Sequence, residues 1–181
     1  MAGDIAARWD VELSDGIYRI EFEHGTTTGK RVIYINGKEV LRRDWMFKLV
    51  GKETVGVTEA KATIHIEAIG GFAYEYSLNI NGKAYQRFMD NRSKISKSWT
   101  VKLDGVDYRI VLEKDTMDVW CNGQQMETVG EFADDGTETQ FAVANHECCI
   151  KAISSGKKKR GHGGIMHILL VDGGVVSEVM Q

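Results

Sequence analysis

Trp9–His24 reads WDVELSDGIYRIEFEH, and Trp99–Lys114 reads WTVKLDGVDYRIVLEK. Seven of the sixteen positions match without a gap: Trp9/Trp99, Val11/Val101, Leu13/Leu103, Tyr18/Tyr108, Arg19/Arg109, Ile20/Ile110 and Glu23/Glu113. In the first copy Trp9, Val11 and Leu13 alternate with polar residues, Ser14-Asp15-Gly16 makes a turn, and Tyr18, Ile20 and Phe22 resume the alternation. A period of two places such residues on one face of a strand, and an Asp-Gly between two such runs is a hairpin signal. Finding the hairpin twice predicts an internal duplication: an all-β chain of two consecutive antiparallel β-sandwich domains of similar topology, 1–90 and 91–181.

The neighbouring segments extend this reading. Arg31 to Ile35 is a β-branched and aromatic strand closed by Asn36-Gly37, the strongest two-residue hairpin turn. Lys38 to Lys52 carries Trp45, Met46, Phe47 and Leu49 with no clear period, so strand and short helix both remain open. ATIHIEA (62–68) alternates, with His65 on the polar face; Tyr74 to Ile80, the turn Asn81-Gly82 and a last strand, Lys83 to Phe88, follow. The polar stretch MDNRSKISKS (89–98) is read as the domain junction.

Later blocks recur at drifting offsets. Residues 119–123 match 33–37 at 86, 132–139 match 47–54 at 85, 148–153 match 64–69 at 84, and 169–173 match 78–82 at 91. The drift puts the length changes in loops, near Thr26 in the first copy and around Lys157 to Gly163 in the second, as a shared core requires. Seven or eight short strands per copy argue for a sandwich or small barrel.

Composition excludes several classes. The 181 residues carry a net charge of -3, with 43% hydrophobic and 27% charged residues. That is ordinary globular composition, without the basic footprint of a nucleic-acid binder. No apolar run reaches the ~18–20 residues of a membrane span. MAGDIAARWDVEL has neither a basic n-region nor an apolar h-region, and three cysteines suit a reducing compartment, so a cytoplasmic location is expected. There are no prolines to blunt exposed sheet edges.

Motif chemistry is sparse. Gly25-Thr26-Thr27-Thr28-Gly29-Lys30 is one residue short of a P-loop, has Arg31 where a metal-binding hydroxyl belongs, and precedes a strand. His162-Gly163-Gly164 lacks the G-x-S-x-G elbow an esterase would need. His146-Glu147-Cys148-Cys149 is the densest ligand-like cluster, but the four ligands of a zinc site are missing, so no metal and no cofactor are expected. Matching 148 to 64 makes Cys148 a core residue and leaves Cys149 as the candidate accessible thiol; Cys121, matched to Ile35 at a hairpin, reads as structural or half-exposed. Lys157, Lys158, Lys159 and Arg160 form a basic run, read as a solvated hairpin tip and a candidate interaction loop. Trp9, Trp99, Trp120, Tyr18 and Tyr108 read as core because they recur at matched positions. No catalytic constellation is present, and no enzyme is expected.

The blocks WDVELSDGIYRIEFEHGTTTGKR, DWMFKLVGKET, GFAYEYSLNINGK, YRIVLEKDTMDVWCNG and GEFADDGTET resemble the Fas apoptotic inhibitory molecule family in its short form. The resemblance runs from about Trp9 to Val171. It departs from the vertebrate pattern around Gly161 to Gly164 and at the C-terminal tail, as an invertebrate-like homologue would. It implies two β-sandwich domains and a cytosolic, non-enzymatic regulator that antagonises death-receptor apoptosis. It further implies neurite-outgrowth signalling, protection against stress-induced aggregation, and partners that are other proteins. A sandwich that binds a small sugar or lipid is the alternative reading.

Overall fold

The computed structural model describes residues 4–154 and 164–177. The chain divides into two compact units, Met1–Arg92 and Ser93–Gln181. In unit 1, β1 (Ile5–Leu13), β2 (Gly16–His24), β3 (Arg31–Ile35) and β4 (Lys38–Arg43) form one antiparallel meander. A second comprises β5 (Gly51–Val57), β6 (Ala60–Gly70), β7 (Ala73–Ile80) and β8 (Lys83–Ala84). Unit 2 has β9 (Ser96–Leu103), β10 (Val106–Glu113), β11 (Asp118–Cys121) and β12 (Gln124–Gln125) in one sheet. Its other sheet holds β13 (Val129–Ala133), β14 (Gly136–Val143), β15 (His146–Ser154), β16 (Ile165–Val171) and β17 (Gly174–Val175).

Alternation explains the cores. Val11, Ile20, Phe22 and Ile33 from the first sheet of unit 1 cluster with Val55, Val57, Ala62, Ile64, Ile66, Leu78 and Ile80 from its second. In unit 2, Trp99, Ile110, Leu112, Val119 and Cys121 cluster with Phe141, Val143, Cys148, Ile150 and Leu169. Each fully buried leucine or isoleucine contributes about 1.5–3 kcal/mol through removal from water.

Each of the four meanders ends on the same corner. Asn36, Asn81, Asn122 and Asp172 have φ of 51°, 51°, 47° and 48°, and the glycines after them have φ near 80°. Positive φ at both positions is the type I′ turn that matches strand twist. At each corner the side-chain oxygen accepts a backbone N–H from a neighbouring strand: Arg19 at 2.8 Å, Lys61 at 2.9 Å, Arg109 at 2.8 Å and Glu147 at 3.0 Å. The backbone N–H of each corner residue donates back to the carbonyl of that same residue.

Several expectations change. The last strand of unit 1 is only Lys83–Ala84, and the supposed linker holds α1 (Tyr85–Ile95). Tyr85 Oη donates to the Asp10 carbonyl at 2.6 Å, and Arg92 Nη2 to Ser14 Oγ at 2.9 Å. These long-range anchors add to the packing of Tyr85 and Phe88 against the unit 1 core. Unit 2 has nine strands among its described residues, because β13 adds an edge where unit 1 has irregular chain at 44–50. Cys148 lies opposite Phe141 and Ile150 opposite Leu169, as Ala62 lies opposite Val55 and Ile64 opposite Leu78. Matching Cys148 to Ile64 is therefore two residues out. A two-residue slip preserves strand face, so the core placement of Cys148 is unaffected. Trp120 belongs to neither core: it alternates with buried Val119 and Cys121 and faces the other way.

Candidate interaction surface

The largest exposed side chains of unit 1 sit beside a rigid support. Arg31 is buried, and its guanidinium forks: Nη1 meets Glu53 Oε1 at 3.1 Å, while Nη2 donates to the carbonyls of Lys48 (3.0 Å) and Val50 (2.8 Å). Glu53 Oε1 also accepts from Arg43 Nε at 2.6 Å. Met46 N–H donates to the Thr28 carbonyl at 3.0 Å. Gly29 makes that approach possible. Its φ is +72°, and a Cβ there would meet the Met46 carbonyl oxygen at 2.3 Å. The segment 44–50 is thus tied to β3, β5 and the 25–30 loop without regular structure. It leaves Trp45 65% and Phe47 85% exposed, their rings 6.4 Å apart. Phe72, at the β6–β7 tip, is 98% exposed and Ile69 is exposed nearby in sequence. In unit 2, Phe132 on β13 is 96% exposed, with Val129, Ile165 and Met166 also exposed. Adjoining exposed apolar side chains, unlike lone ones, are a feature of contact surfaces, and Trp45 and Phe47 adjoin.

The sequence showed apolar letters at Trp45, Phe47 and Phe132 but no period to say which way they face. Phe72 carried a readable signal, since it follows Gly70-Gly71 at a hairpin tip.

The cysteines do not converge on a reactive centre. Cys121 and Cys148 are buried, and burial pushes the Cys148 thiol up to about 11 and raises Cys121 as well. Of the two readings of Cys121, the structural one holds: it is a core residue. Cys149 is half-buried between Gln140 and Leu170, and burial, then Glu138, raises its thiol above the ordinary value. A raised thiol carries less nucleophilic thiolate at neutral pH. Lys157, Lys158, Lys159 and Arg160 lie outside the described residues.

His146 is a clamp. Its Nδ1 is 2.6 Å from Asp172 Oδ2, and its Nε2 is 2.7 Å from Asp104 Oδ2. Hydrogen bonds to Asp172 and then to Asp104 raise the imidazole above its ordinary value and so favour the protonated ring, in which both nitrogens donate; His146 in turn lowers Asp172. Among the described residues no group of three or more His, Cys, Asp or Glu could hold a metal ion. Among them, too, no helix is long and apolar enough to cross a membrane.

The fold and its surface define a class: an all-β protein of antiparallel meanders with exposed aromatic side chains. Comparison with known proteins supplies the family. The profile described as Fas apoptotic inhibitory molecule (FAIM1) matches residues 5–179. The chain is 63% identical over 180 residues to Fas apoptotic inhibitory molecule 1 of Mus musculus, covering 98% of this chain and 99% of the mouse protein. The Rattus norvegicus protein of the same name is 62% identical over 98% of this chain and 88% of its own length. The Homo sapiens one is 60% identical over 97% and 98%. The chain belongs to the Fas apoptotic inhibitory molecule family.

Proposed function

We propose that this chain is a cytoplasmic, non-enzymatic interaction protein that restrains death-receptor apoptosis and limits stress-induced protein aggregation. The observation that carries the reading is the family match across residues 5–179, together with the name shared by its relatives. The exposed rings of Trp45, Phe47, Phe72 and Phe132 support contact with other proteins. In this reading each unit is a two-sheet β-sandwich, and the pair arose by duplication. The recurring Asn/Asp-Gly corners and the shared register of β5–β7 with β14–β16 support it.

Cells expressing the chain are treated with Fas ligand, and caspase activity is followed. The expected result is delayed activation relative to empty vector. Unchanged activation at equal expression of folded protein contradicts the apoptotic reading. Light scattering of a heat-stressed client with equimolar chain checks the aggregation reading, which an unaltered trace contradicts.

A further inference from the structure

In unit 2 the edge of β14 carries an added strand, and in unit 1 the corresponding edge is bare. The β5–β6 and β14–β15 hairpins match residue by residue. Val57 faces Ala60 across Thr58-Glu59, and Val143 faces His146 across Ala144-Asn145. Thr58 and Ala144 have φ of 53° and 52°. On its other side β14 pairs with β13, Val129 opposite Gln140, Glu131 opposite Glu138 and Ala133 opposite Gly136. β5 pairs with β6 alone, and among the described residues no backbone hydrogen bond joins the 44–50 segment to it.

The residues flanking a two-residue turn exchange both backbone hydrogen bonds, and bonded and non-bonded pairs alternate from there. Val57, Val55 and Glu53 therefore bond to β6, while Lys52, Thr54 and Gly56 turn their N–H and C=O to the open side. Thr54 Oγ1 and Thr63 Oγ1, 2.9 Å apart, fit the closer side-chain spacing of a non-bonded pair. Counted from the turns, Lys52 and Thr54 correspond to Glu138 and Gln140, which β13 pairs with in unit 2. The bare stretch ends at Val50, whose carbonyl accepts from Arg31 Nη2 at 2.8 Å.

The side chains select the occupant. Lys52, Thr54 and Gly56 are exposed and alternate with buried Glu53, Val55 and Val57, so they share the outward face. Nothing stands within 4 Å of where a Cβ on Gly56 would sit, and exposed Lys61 lies opposite Gly56 on β6. Among the described residues neither Lys52 nor Lys61 has an ion-pair partner. A lysine on an edge strand discourages apolar and basic strands, and suits an acidic one. On the inward face Arg43 Nε reaches Glu53 Oε1 at 2.6 Å, so the residue added there must be small, as Gly130 is beside Thr139.

We propose that the open edge of β5 binds an extended acidic segment of another protein as a fifth, antiparallel strand, its carboxylates four residues apart meeting Lys52 and Lys61 and an apolar residue between them lying over Thr54. The chain's own residues 127–135 have this pattern: in the register of β13 on β14, Glu131, Val129 and Glu127 would fall against Lys52, Thr54 and Lys61. The same Glu131 that faces a glutamate in unit 2 would face a lysine in unit 1. Docking here deepens the interaction reading above and rests on it only in taking the partner to be a protein. The peptide experiment reads the edge alone, so its failure and that of the caspase and light-scattering experiments are separate results.

Amide NMR of the full chain, titrated with an acetylated and amidated peptide of residues 127–135 (ETVGEFADD), tests it. Saturable shifts are expected at 52, 54 and 56, and none with a permuted peptide of the same composition that breaks the spacing. Lys52→Glu, at an exposed position, is expected to weaken binding about fivefold by setting like charges across the ladder. A peptide carrying Glu131→Lys is expected to restore binding to that variant. Thr54→Pro removes one outward N–H and is expected to weaken binding of either peptide. No saturable shift, shifts on another edge, equal binding of the permuted peptide, or binding unaltered by Lys52→Glu overturns the proposal. Sedimentation velocity of the chain alone checks the other occupant: a dimer that Lys52→Glu dissociates would give the edge to a second copy and overturn it as well.

Discussion

The two units tie their sheets together by different chemistry. In unit 1 a buried guanidinium on β3 meets a buried carboxylate on β5, and Arg43 on β4 adds a second cation to it. In unit 2 the counterpart tie is His146 at the start of β15, held between Asp104 of the β9–β10 turn and Asp172 of the β16–β17 turn. Guanidinium keeps its charge at every accessible pH, whereas imidazole does not. One framework thus carries a pH-indifferent tie and a pH-sensitive one.

The sharpest way to break this contrast is to remove the buried cation. Arg31→Met leaves Glu53 with Arg43 alone and two carbonyls without their donor, and is expected to destabilise by ~3–5 kcal/mol. Unit 2 offers a matched control. Lys151 and Glu138 are 3.5 Å apart and partly exposed, and Lys151→Met is expected to cost less than ~1 kcal/mol. Denaturant unfolding of both variants checks the difference, and equal costs would dissolve it.

The corners should behave alike where the ties do not. Asn36→Ala and Asn122→Ala each lose a side-chain acceptor and put alanine at positive φ, so about 1–2 kcal/mol is expected from each. Unequal values in urea melts would separate the two corners into different devices.

The smallest effect is a pH dependence. His146 is raised in the fold, so its contribution is full below the ordinary 6.5 and fades as pH rises through its raised value. Asp172 is lowered, so its contribution is present above 3.8 and fades as pH falls through its lowered value. His146→Gln should therefore lower Tm most in mildly acidic buffer and little in alkaline buffer. A Tm difference independent of pH would remove the charge from the clamp.

What the sequence made legible follows from how local each feature is. The β1–β2 and β9–β10 hairpins, the Asn-Gly turns and the interior placement of Cys148 depend on neighbours in the chain or on strand parity, and letters show both. The helix at Tyr85–Ile95 depends on Asp10 and Ser14, more than seventy residues earlier, so a polar stretch looked like a linker. Nothing near Glu53 in the sequence marks its role, because its partner Arg31 is 22 residues away. The His146 clamp spans separations of 42 and 26 residues.

Native-state hydrogen exchange on Ile64→Ala and Ile150→Ala tests most directly whether each unit stands on its own core. Both isoleucines are fully buried, and each truncation is expected to cost ~2–5 kcal/mol. Two independent cores predict faster exchange in β1–β8 for Ile64→Ala and in β9–β17 for Ile150→Ala, with the other unit unchanged. Faster exchange throughout the chain in both variants would contradict the account.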